Sequence, residues 1–170
     1  MQIKLNTLEQ GKIENTLEIS GIPKEQQENL SEIVRKIGNA INQDNNDIKK
    51  IYRKESKGSA SQKRHSSVVV LTLREGCRDK WLEAAKACSL SPRVIGKDGE
   101  GRIHLREALT PATAYLLWKT KSELKDTNLV QFVWCKRGNI LIRKSENDKI
   151  FAIRSESDVE KWVTALKNKA

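Results

Sequence analysis

The order of six apolar patterns in the first two thirds of the chain is the feature that most restricts its fold. Alternating apolar residues and β-branched runs predict four strands, and apolar spacings of three and four residues predict two helices. In chain order these are a strand at 16–22, a helix at 30–41, strands at 48–53 and 67–73, a helix at 75–88 and a short strand at 103–105. Asn29 and Glu32 are suited to cap the first turn of the helix at 30–41. Two helices on one face of a four-stranded antiparallel sheet satisfy this order. The sequence therefore predicts an α+β domain with the order βαββαβ.

A second, smaller α/β unit is predicted after a boundary near Leu109. Thr110 is a suitable N-cap and Pro111 suits the first helical position, where its missing N–H costs nothing. The apolar stripe predicted for this helix is Ala114, Leu117, Trp118 and Leu124. A three-stranded meander follows at 130–134, 140–143 and 150–154, with a turn signal that contains Gly138 at 136–139, and a last helix begins with the capping box 157–160. We therefore divide the chain into a short helical segment at 1–13, a first domain at 14–108 and a C-terminal domain at 109–170.

Positive charge is concentrated in one short segment. The chain carries 32 Lys and Arg against 22 Asp and Glu, a net charge of +10, and the segment 49–64 sets seven cations against Glu55 alone. A net charge of this sign favours polyanions. Small residues at 58–61 predict that the segment is a strand end followed by a loop. The residues predicted to contact phosphate are Lys50, Arg53, Lys54, Lys63 and Arg64. A solvated basic loop that keeps the protein soluble is the simpler alternative.

Other signals exclude several classes of protein. The three cysteines have no C-x-x-C spacing and lie in apolar patterns, so we expect them to be reduced and the protein to be intracellular, in the cytoplasm or nucleus. The longest apolar run, 68–73, is too short to cross a bilayer, so no membrane partner is expected. Only His65 and His104 are present, and no phosphate loop, nucleophile elbow or H-E-x-x-H occurs. We predict a protein that is not an enzyme and needs no metal or cofactor.

The strand order of the first domain is that of an RNA-recognition motif, whose sheet normally stacks bases on aromatic residues. The first and third strands, LEISGI and SSVVVLTL, contain no Phe or Tyr. Tyr52, beside Arg53, is the best candidate for stacking on a base. The four tryptophans fit apolar stripes and are predicted to be core residues: Trp81, Trp118, Trp134 and Trp162. Binding energy would then come mainly from phosphate contacts, with weak sequence discrimination.

Several segments, taken in order, resemble a known family. The segments LEISGIPKEQQENL, HSSVVVLTL, IHLREALT and FVWCKRGNILIRK, with the closing helix, are similar to the C-terminal region of baculovirus few-polyhedra (25K-type, FP) proteins and related insect proteins. The arrangement is more distantly similar to the nucleic-acid-binding protein encoded by the first reading frame of long interspersed retrotransposons. The resemblance covers about residues 14–167, and its most specific pieces are 21–23, 107–110 and 134–144.

The resemblance implies an RNA-recognition-like domain and a small C-terminal domain that hold single-stranded RNA or DNA in a basic cleft between them. It also implies a nucleic-acid chaperone activity and self-association through an N-terminal coiled coil. The strand 140–144 matches the basic strand of the family, which makes Arg143 and Lys144 candidate phosphate contacts, with Lys136 and Arg137 at the adjacent turn. A surface ion pair between Arg143 and Glu146 or Asp148 is the structural alternative for that residue.

The resemblance makes the segment 1–13 a remnant of this coiled coil, which is reduced here to the first ten residues, as expected for a fragment or a shortened gene copy. The alternative function is a protein-interaction adaptor, because the viral relatives act in virion assembly and occlusion.

Overall fold

The computed structural model describes residues 2–55 and 67–169, which form five α-helices and two antiparallel sheets. The chain divides into two compact units. The N-terminal unit comprises residues 15–108, and the C-terminal unit comprises residues 109–170 together with residues 1–14. The first helix, α1 (Gln2–Lys12), therefore belongs to the C-terminal unit.

The N-terminal unit is a four-stranded antiparallel sheet with two helices. Its elements are β1 (Thr16–Ser20), α2 (Leu30–Ala40), β2 (Ile48–Glu55), β3 (Ser67–Leu73), α3 (Arg78–Ala87) and β4 (His104–Glu107). The strands lie in the order β2-β3-β1-β4, so β1 and β3 are central and β2 is an edge strand. All six elements lie within a few residues of the predicted ranges, because each carries a clear apolar period.

One face of this sheet is the core of the unit. Leu17 and Ile19 of β1 and Val69 and Leu71 of β3 are completely buried. Their cluster includes apolar residues of α2 and the fully buried Trp81 of α3. Burial of each such side chain contributes about 1.5 to 3 kcal/mol. Both helices therefore cover the same face of the sheet.

Helix α2 begins after Asn29, the N-cap that the sequence predicts. The side chain of Asn29 accepts a hydrogen bond from the backbone N–H of Glu32 at 3.1 Å. Residues Ile33, Val34 and Ile37 then face the core and are buried. The N-cap and the apolar stripe, both predicted, together fix how this helix lies against the sheet.

The C-terminal unit packs helices against a three-stranded meander. Its elements after α1 are α4 (Pro111–Thr120), a π-helical turn (Lys121–Lys125), β5 (Phe132–Lys136), β6 (Asn139–Arg143), β7 (Phe151–Ile153) and α5 (Glu156–Lys167). The strands lie in the order β5-β6-β7 and pair antiparallel. The buried core of this unit is Leu124, Val130, Val133, Ile140, Ile142, Ile153 and Val159.

Helix α1 is joined to the start of α4 by polar contacts. Thr110 caps α4 by accepting from the backbone N–H of Thr113 at 3.2 Å, as predicted. The Thr110 hydroxyl donates to Asn6 at 2.5 Å, and the Thr110 N–H donates to Gln10 at 3.1 Å. The large apolar residues of α1 stay more than half exposed: Ile3, Leu5 and Leu8. Self-association through this helix stays a prediction.

Two predictions about the C-terminal helices are wrong. Helix α5 begins at Glu156 and is capped by Ser155, whose hydroxyl accepts from the N–H of Asp158 at 3.3 Å. The predicted box at 157–160 starts too late, because the Asp158 carboxylate accepts from the N–H of Arg154 and so fixes the turn before the helix. Trp118 is 62% exposed, because Thr113, Thr120 and the later Leu124 are the residues of this helical segment that are buried.

The turn between β5 and β6 depends on a glycine. Arg137 and Gly138 form a two-residue loop with φ angles of +51° and +73°, as in a type I′ turn. A Cβ atom at Gly138 would lie 2.5 Å from Cγ of Gln10 in α1. The hairpin therefore needs glycine both for its backbone angle and for the close approach of α1.

We predict that Gly138→Ala lowers the free energy of unfolding by about 1 to 2 kcal/mol, because alanine disfavours this φ and its methyl group displaces Gln10. Gly11→Ala is the matched control, since Gly11 lies in α1 and a Cβ atom at that position would have no neighbouring atom within 4 Å. That change should raise stability by up to about 1 kcal/mol. Urea unfolding of both variants checks the prediction, and equal effects of the two changes would contradict it.

Candidate functional site

The predicted site residues of the N-terminal unit lie on both sides of β2. Lys50, Tyr52 and Lys54 alternate along the strand and are exposed. Arg53 points to the opposite side and is only partly exposed. Lys63 and Arg64 lie outside the described residues. Among the predicted residues that the structure describes, Lys50, Tyr52 and Lys54 therefore share a surface that a ligand could reach.

The strand register defines the outer face of the N-terminal sheet, which is the face opposite the core. Lys50 pairs with Thr72, Tyr52 with Val70 and Lys54 with Val68, so these side chains share a face. The same face carries Glu18 of β1 and Arg106 of β4, which pair across those strands. The residues of this outer face are Thr16, Glu18, Ser20, Lys50, Tyr52, Lys54, Val68, Val70, Thr72, His104 and Arg106.

A carboxylate lies at the centre of this outer face. Glu18 accepts from Arg106 at 2.9 Å and 3.2 Å, and Lys54 Nζ lies 3.9 Å from it. Among the outer-face residues of the described strands, one is aromatic. This residue is Tyr52, and it lies on the edge strand β2. Lys50 Nζ lies 5.4 Å from the centroid of its ring, within cation–π range. The central strands thus present an acid where stacking modules present aromatic rings.

Arg53 is held by a buried ion pair. Its Nε and Nη2 each donate to the Glu28 carboxylate at 2.5 Å, and its Nη1 donates to Ser67 at 3.0 Å. The two charged side chains are 7% and 12% exposed. The hydrogen bonds from Arg53 hold the pKa of Glu28 below its usual range, against the raising effect of burial. Because its donors serve the fold, we leave Arg53 out of the candidate surface.

The predicted cations of the C-terminal unit lie at two ends of one hairpin. Lys136 and Arg137 lie at the turn between β5 and β6. Arg143 pairs with Phe132 at the other end, and Lys144 follows it. Along the hairpin, Lys136 lies four residue steps from the position of Arg143, a distance of about 13 Å. The four cations therefore do not form one cluster, and their predicted convergence with the basic segment of β2 stays a prediction.

Aromatic residues lie between these cations on the outer face of the C-terminal sheet. Alternation places Phe132, Trp134 and Lys136 of β5 opposite the core, with Leu141 and Arg143 of β6 beside them. The residues of this outer face are Phe132, Trp134, Lys136, Asn139, Leu141, Arg143 and Ala152. Trp134 and Phe132 are half-buried and belong to neither hydrophobic cluster. The prediction that Trp134 is a core residue is therefore wrong.

Arg143 is packed differently from the predicted surface ion pair. Its guanidinium lies 4.8 Å from the centroid of the Phe132 ring. Its Nε is buried and donates to no acceptor among the described residues. Asp148, one of the acids considered as its partner, instead accepts from Ser145 at 2.6 Å. Arg143 is thus a cation fixed against an aromatic ring.

A second aromatic pair lies on the surface of α4. Tyr115 and Trp118 are 49% and 62% exposed, and their ring centroids are 5.8 Å apart. They lie three residues apart and so share one helix face. The sequence did not reveal this surface, because Trp118 also fits the spacing of the apolar stripe. Only the burial of the polar Thr113 and Thr120 turns the helix so that Trp118 is exposed.

The chemistry available on these surfaces is ionic, hydrogen-bonding and stacking. Among residues 2–55 and 67–169, no group of three or more His, Cys, Asp or Glu side chains is placed to hold a metal ion. Burial, with the nearby Asp47, raises the pKa of the Cys77 thiol, which keeps it protonated. None of the helices in this part of the chain is long and apolar enough to cross a membrane.

Two family models match consecutive segments of the sequence. The model described as Baculovirus FP protein domain 1 matches residues 14–106, and the model described as Baculovirus FP protein domain 2 matches residues 110–163. No curated protein sequence matches the chain. The first match runs from just before β1 into β4 of the N-terminal unit, and the second runs from α4 into α5. The resemblance to FP proteins is confirmed.

The Arg53–Glu28 ion pair makes the stability of the folded protein depend on pH. The pKa of Glu28 is lower in the folded protein than in the unfolded chain. The ion pair therefore stabilises the fold fully at pH values above the pKa of Glu28 in the unfolded chain. This stabilisation is lost as the pH falls through the pKa of Glu28 in the folded protein. We predict that Glu28→Gln destabilises the protein at pH 7 and that its difference from the wild type shrinks towards pH 3. Thermal unfolding of both proteins between pH 7 and pH 3 measures this difference in stability.

Arg53→Met should lower the free energy of unfolding by about 3 kcal/mol at pH 7, because it leaves the Glu28 carboxylate buried and unpaired. Glu32→Gln is the matched control, because the Glu32–Lys36 pair lies on the exposed side of α2 and should contribute about 0.5 kcal/mol or less. A difference between Glu28→Gln and wild type that stays constant from pH 7 to pH 3 would contradict the assignment.

Proposed function

The chain belongs to the baculovirus FP protein family, and we propose that it binds single-stranded nucleic acid without enzymatic activity. The observation that carries this proposal is the row formed by Lys50, Tyr52 and Lys54 on the outer face of β2. The two lysines lie on one side of the strand, about 13 Å apart along it, with an aromatic ring between them. Cations that follow a phosphate backbone and a ring for a base are the elements of single-strand binding.

The topology of the N-terminal unit supports an RNA-recognition-like fold. Its strand order β2-β3-β1-β4, with α2 and α3 on one face, leaves the opposite face for a ligand. We propose that this outer face holds the backbone of the strand more than its bases. Glu18 occupies the centre of the face, and Tyr52 lies at its edge. Phosphate contacts carry little sequence information, so discrimination between sequences should be weak.

The C-terminal unit supplies further cations to the proposal. Lys136 and Lys144 are exposed, and Arg143 is held beside Phe132. Arg137 is fixed at the tip of the hairpin by its left-handed backbone. With a net charge of +10, such residues attract a polyanion to either unit and accelerate its association. RNA and DNA strands both satisfy this chemistry, and strand annealing is the activity we expect from it.

We predict that the protein binds a mixed-sequence thirty-mer of RNA or DNA and that affinity falls as salt rises, with a slope of about 0.7 per phosphate neutralised. The double change Lys50→Ala, Lys54→Ala should weaken binding about tenfold and lower the slope by about 1.4. The matched control is Lys161→Ala, Lys167→Ala, which removes the same charge from exposed positions of α5. Filter binding across a salt series measures both quantities.

Three results would decide the proposal. Absence of binding by the wild type at low salt would reject it. Equal losses in the two double variants would mean that net charge alone, and not the outer face of β2, attracts the strand. Degradation of the labelled strand after addition of Mg²⁺ or Mn²⁺ would indicate a nuclease instead.

A protein-interaction adaptor is the second candidate, and the exposed Tyr115–Trp118 pair favours it. Tyr and Trp are frequent among the residues that dominate binding energy at protein interfaces. An adaptor that uses this pair would keep its protein partners when Lys50 and Lys54 are replaced and lose them in Trp118→Ala. Failure of the wild type to bind oligonucleotides, with retention of a protein partner that depends on Trp118, would favour this candidate.

A further inference from the structure

We infer that the outer face of the C-terminal sheet stacks the bases of a single strand on Trp134 and Phe132, with Arg143 and Lys136 contacting the backbone. This inference rests on the proposed function and assigns its base-binding site to a different sheet from the one on which RNA-recognition motifs stack bases. It also separates two tasks, because the outer face of the N-terminal sheet would then serve mainly phosphate contacts.

The first argument is the orientation of the rings. Val133 and Ile142 point into the core and are buried, so the residues that alternate with them point away from it. Trp134 pairs with Leu141, and Phe132 pairs with Arg143 on the neighbouring strand. These four side chains therefore form one continuous patch of two rings, an aliphatic side chain and a cation. The small Ala152 of β7 lies opposite Leu141 and leaves the patch open at that side.

The second argument is the state of Arg143. Its guanidinium is already fixed over the Phe132 ring, so little side-chain entropy is lost when it meets a ligand. Its Nε is buried and donates to no acceptor among the described residues, so this atom is not the one that would meet a ligand. An arginine whose guanidinium is already held against an aromatic ring is nevertheless suited to contact a phosphate next to a stacked base.

The third argument is charge complementarity, which selects the occupant. The outer face of the C-terminal sheet has Arg143 near one end, Lys136 at the other, and no carboxylate among its seven residues. An apolar protein surface placed on it would leave these two cations without partners, at a cost in free energy. A single strand supplies rings for Trp134 and Phe132 together with anions for the cations.

The experiment compares two fifteen-nucleotide strands, oligothymidylate and a strand of the same length and charge whose sites are all abasic. Wild-type protein should bind oligothymidylate about 10- to 100-fold more tightly, the gain expected from one or two stacked bases. Trp134→Leu should remove about tenfold of this preference and leave the abasic affinity unchanged. Trp118→Leu is the matched control, since it removes a tryptophan that is more exposed but lies on α4, and should change neither affinity. Arg143→Ala should weaken both complexes.

A second measurement needs no variant and is independent of folding defects. Irradiation of wild-type protein with a strand that contains 5-iodouridine should attach the base to Trp134 or Phe132, which peptide mass spectrometry locates. Attachment to Tyr52 or Trp118 alone would overturn the inference, as would equal wild-type affinities for the thymidylate and abasic strands. Each of these results leaves the proposed function intact, whereas absence of binding to both strands rejects the proposed function itself.

Discussion

Both candidate surfaces depend on one constraint, the two-residue alternation of side chains along a pleated strand. In the N-terminal sheet this alternation sends Leu17 and Ile19 into the core and Glu18, between them, to the opposite face. Because helices cover only the core face, the polar residues Thr16, Glu18 and Ser20 of β1 and Thr72 of β3 lie on the other one. A shift of register by one residue would exchange the two faces and destroy the core, so the position of Glu18 and Lys54 is fixed by the burial of their neighbours.

The same constraint acts on the C-terminal sheet with a less obvious result. There, residues of both faces of β5 are apolar: Val133 and Cys135 pack with the core, while Phe132 and Trp134 do not. Alternation states which residues share a face, but it cannot state which face is covered when both are apolar. For this reason the sequence predicted Trp134 as a core residue, and the packing of Val133 and Ile142 against the helices shows the reverse.

Polar contacts in the core and at helix ends explain the other differences. Arg53 has the sequence context of a surface cation, yet a glutamate 25 residues earlier in the chain holds it in a buried ion pair. Trp118 fits an apolar stripe, but the unit buries Thr113 and Thr120 and turns the tryptophan outwards. A threonine is buried at low cost when its hydroxyl is bonded, as Thr120 is to the Leu116 carbonyl at 2.7 Å. A hydropathy pattern counts threonine as polar, so it does not predict the burial of a threonine whose hydroxyl is hydrogen-bonded.

Local sequence was sufficient to predict the order of helices and strands, the caps at Asn29 and Thr110, the glycine turn of the hairpin and the relationship to FP proteins. These follow from neighbours within a few residues, or from motifs in a fixed order, and therefore need no knowledge of distant contacts. Which cations are available and which aromatic residues are exposed became known only from the folded chain. Arg53 is used by Glu28, Arg143 is fixed against Phe132, and Trp118 is turned away from the core. Each of these outcomes depends on partners or packing that folding brings together from separate parts of the chain, and a local pattern carries no information about them.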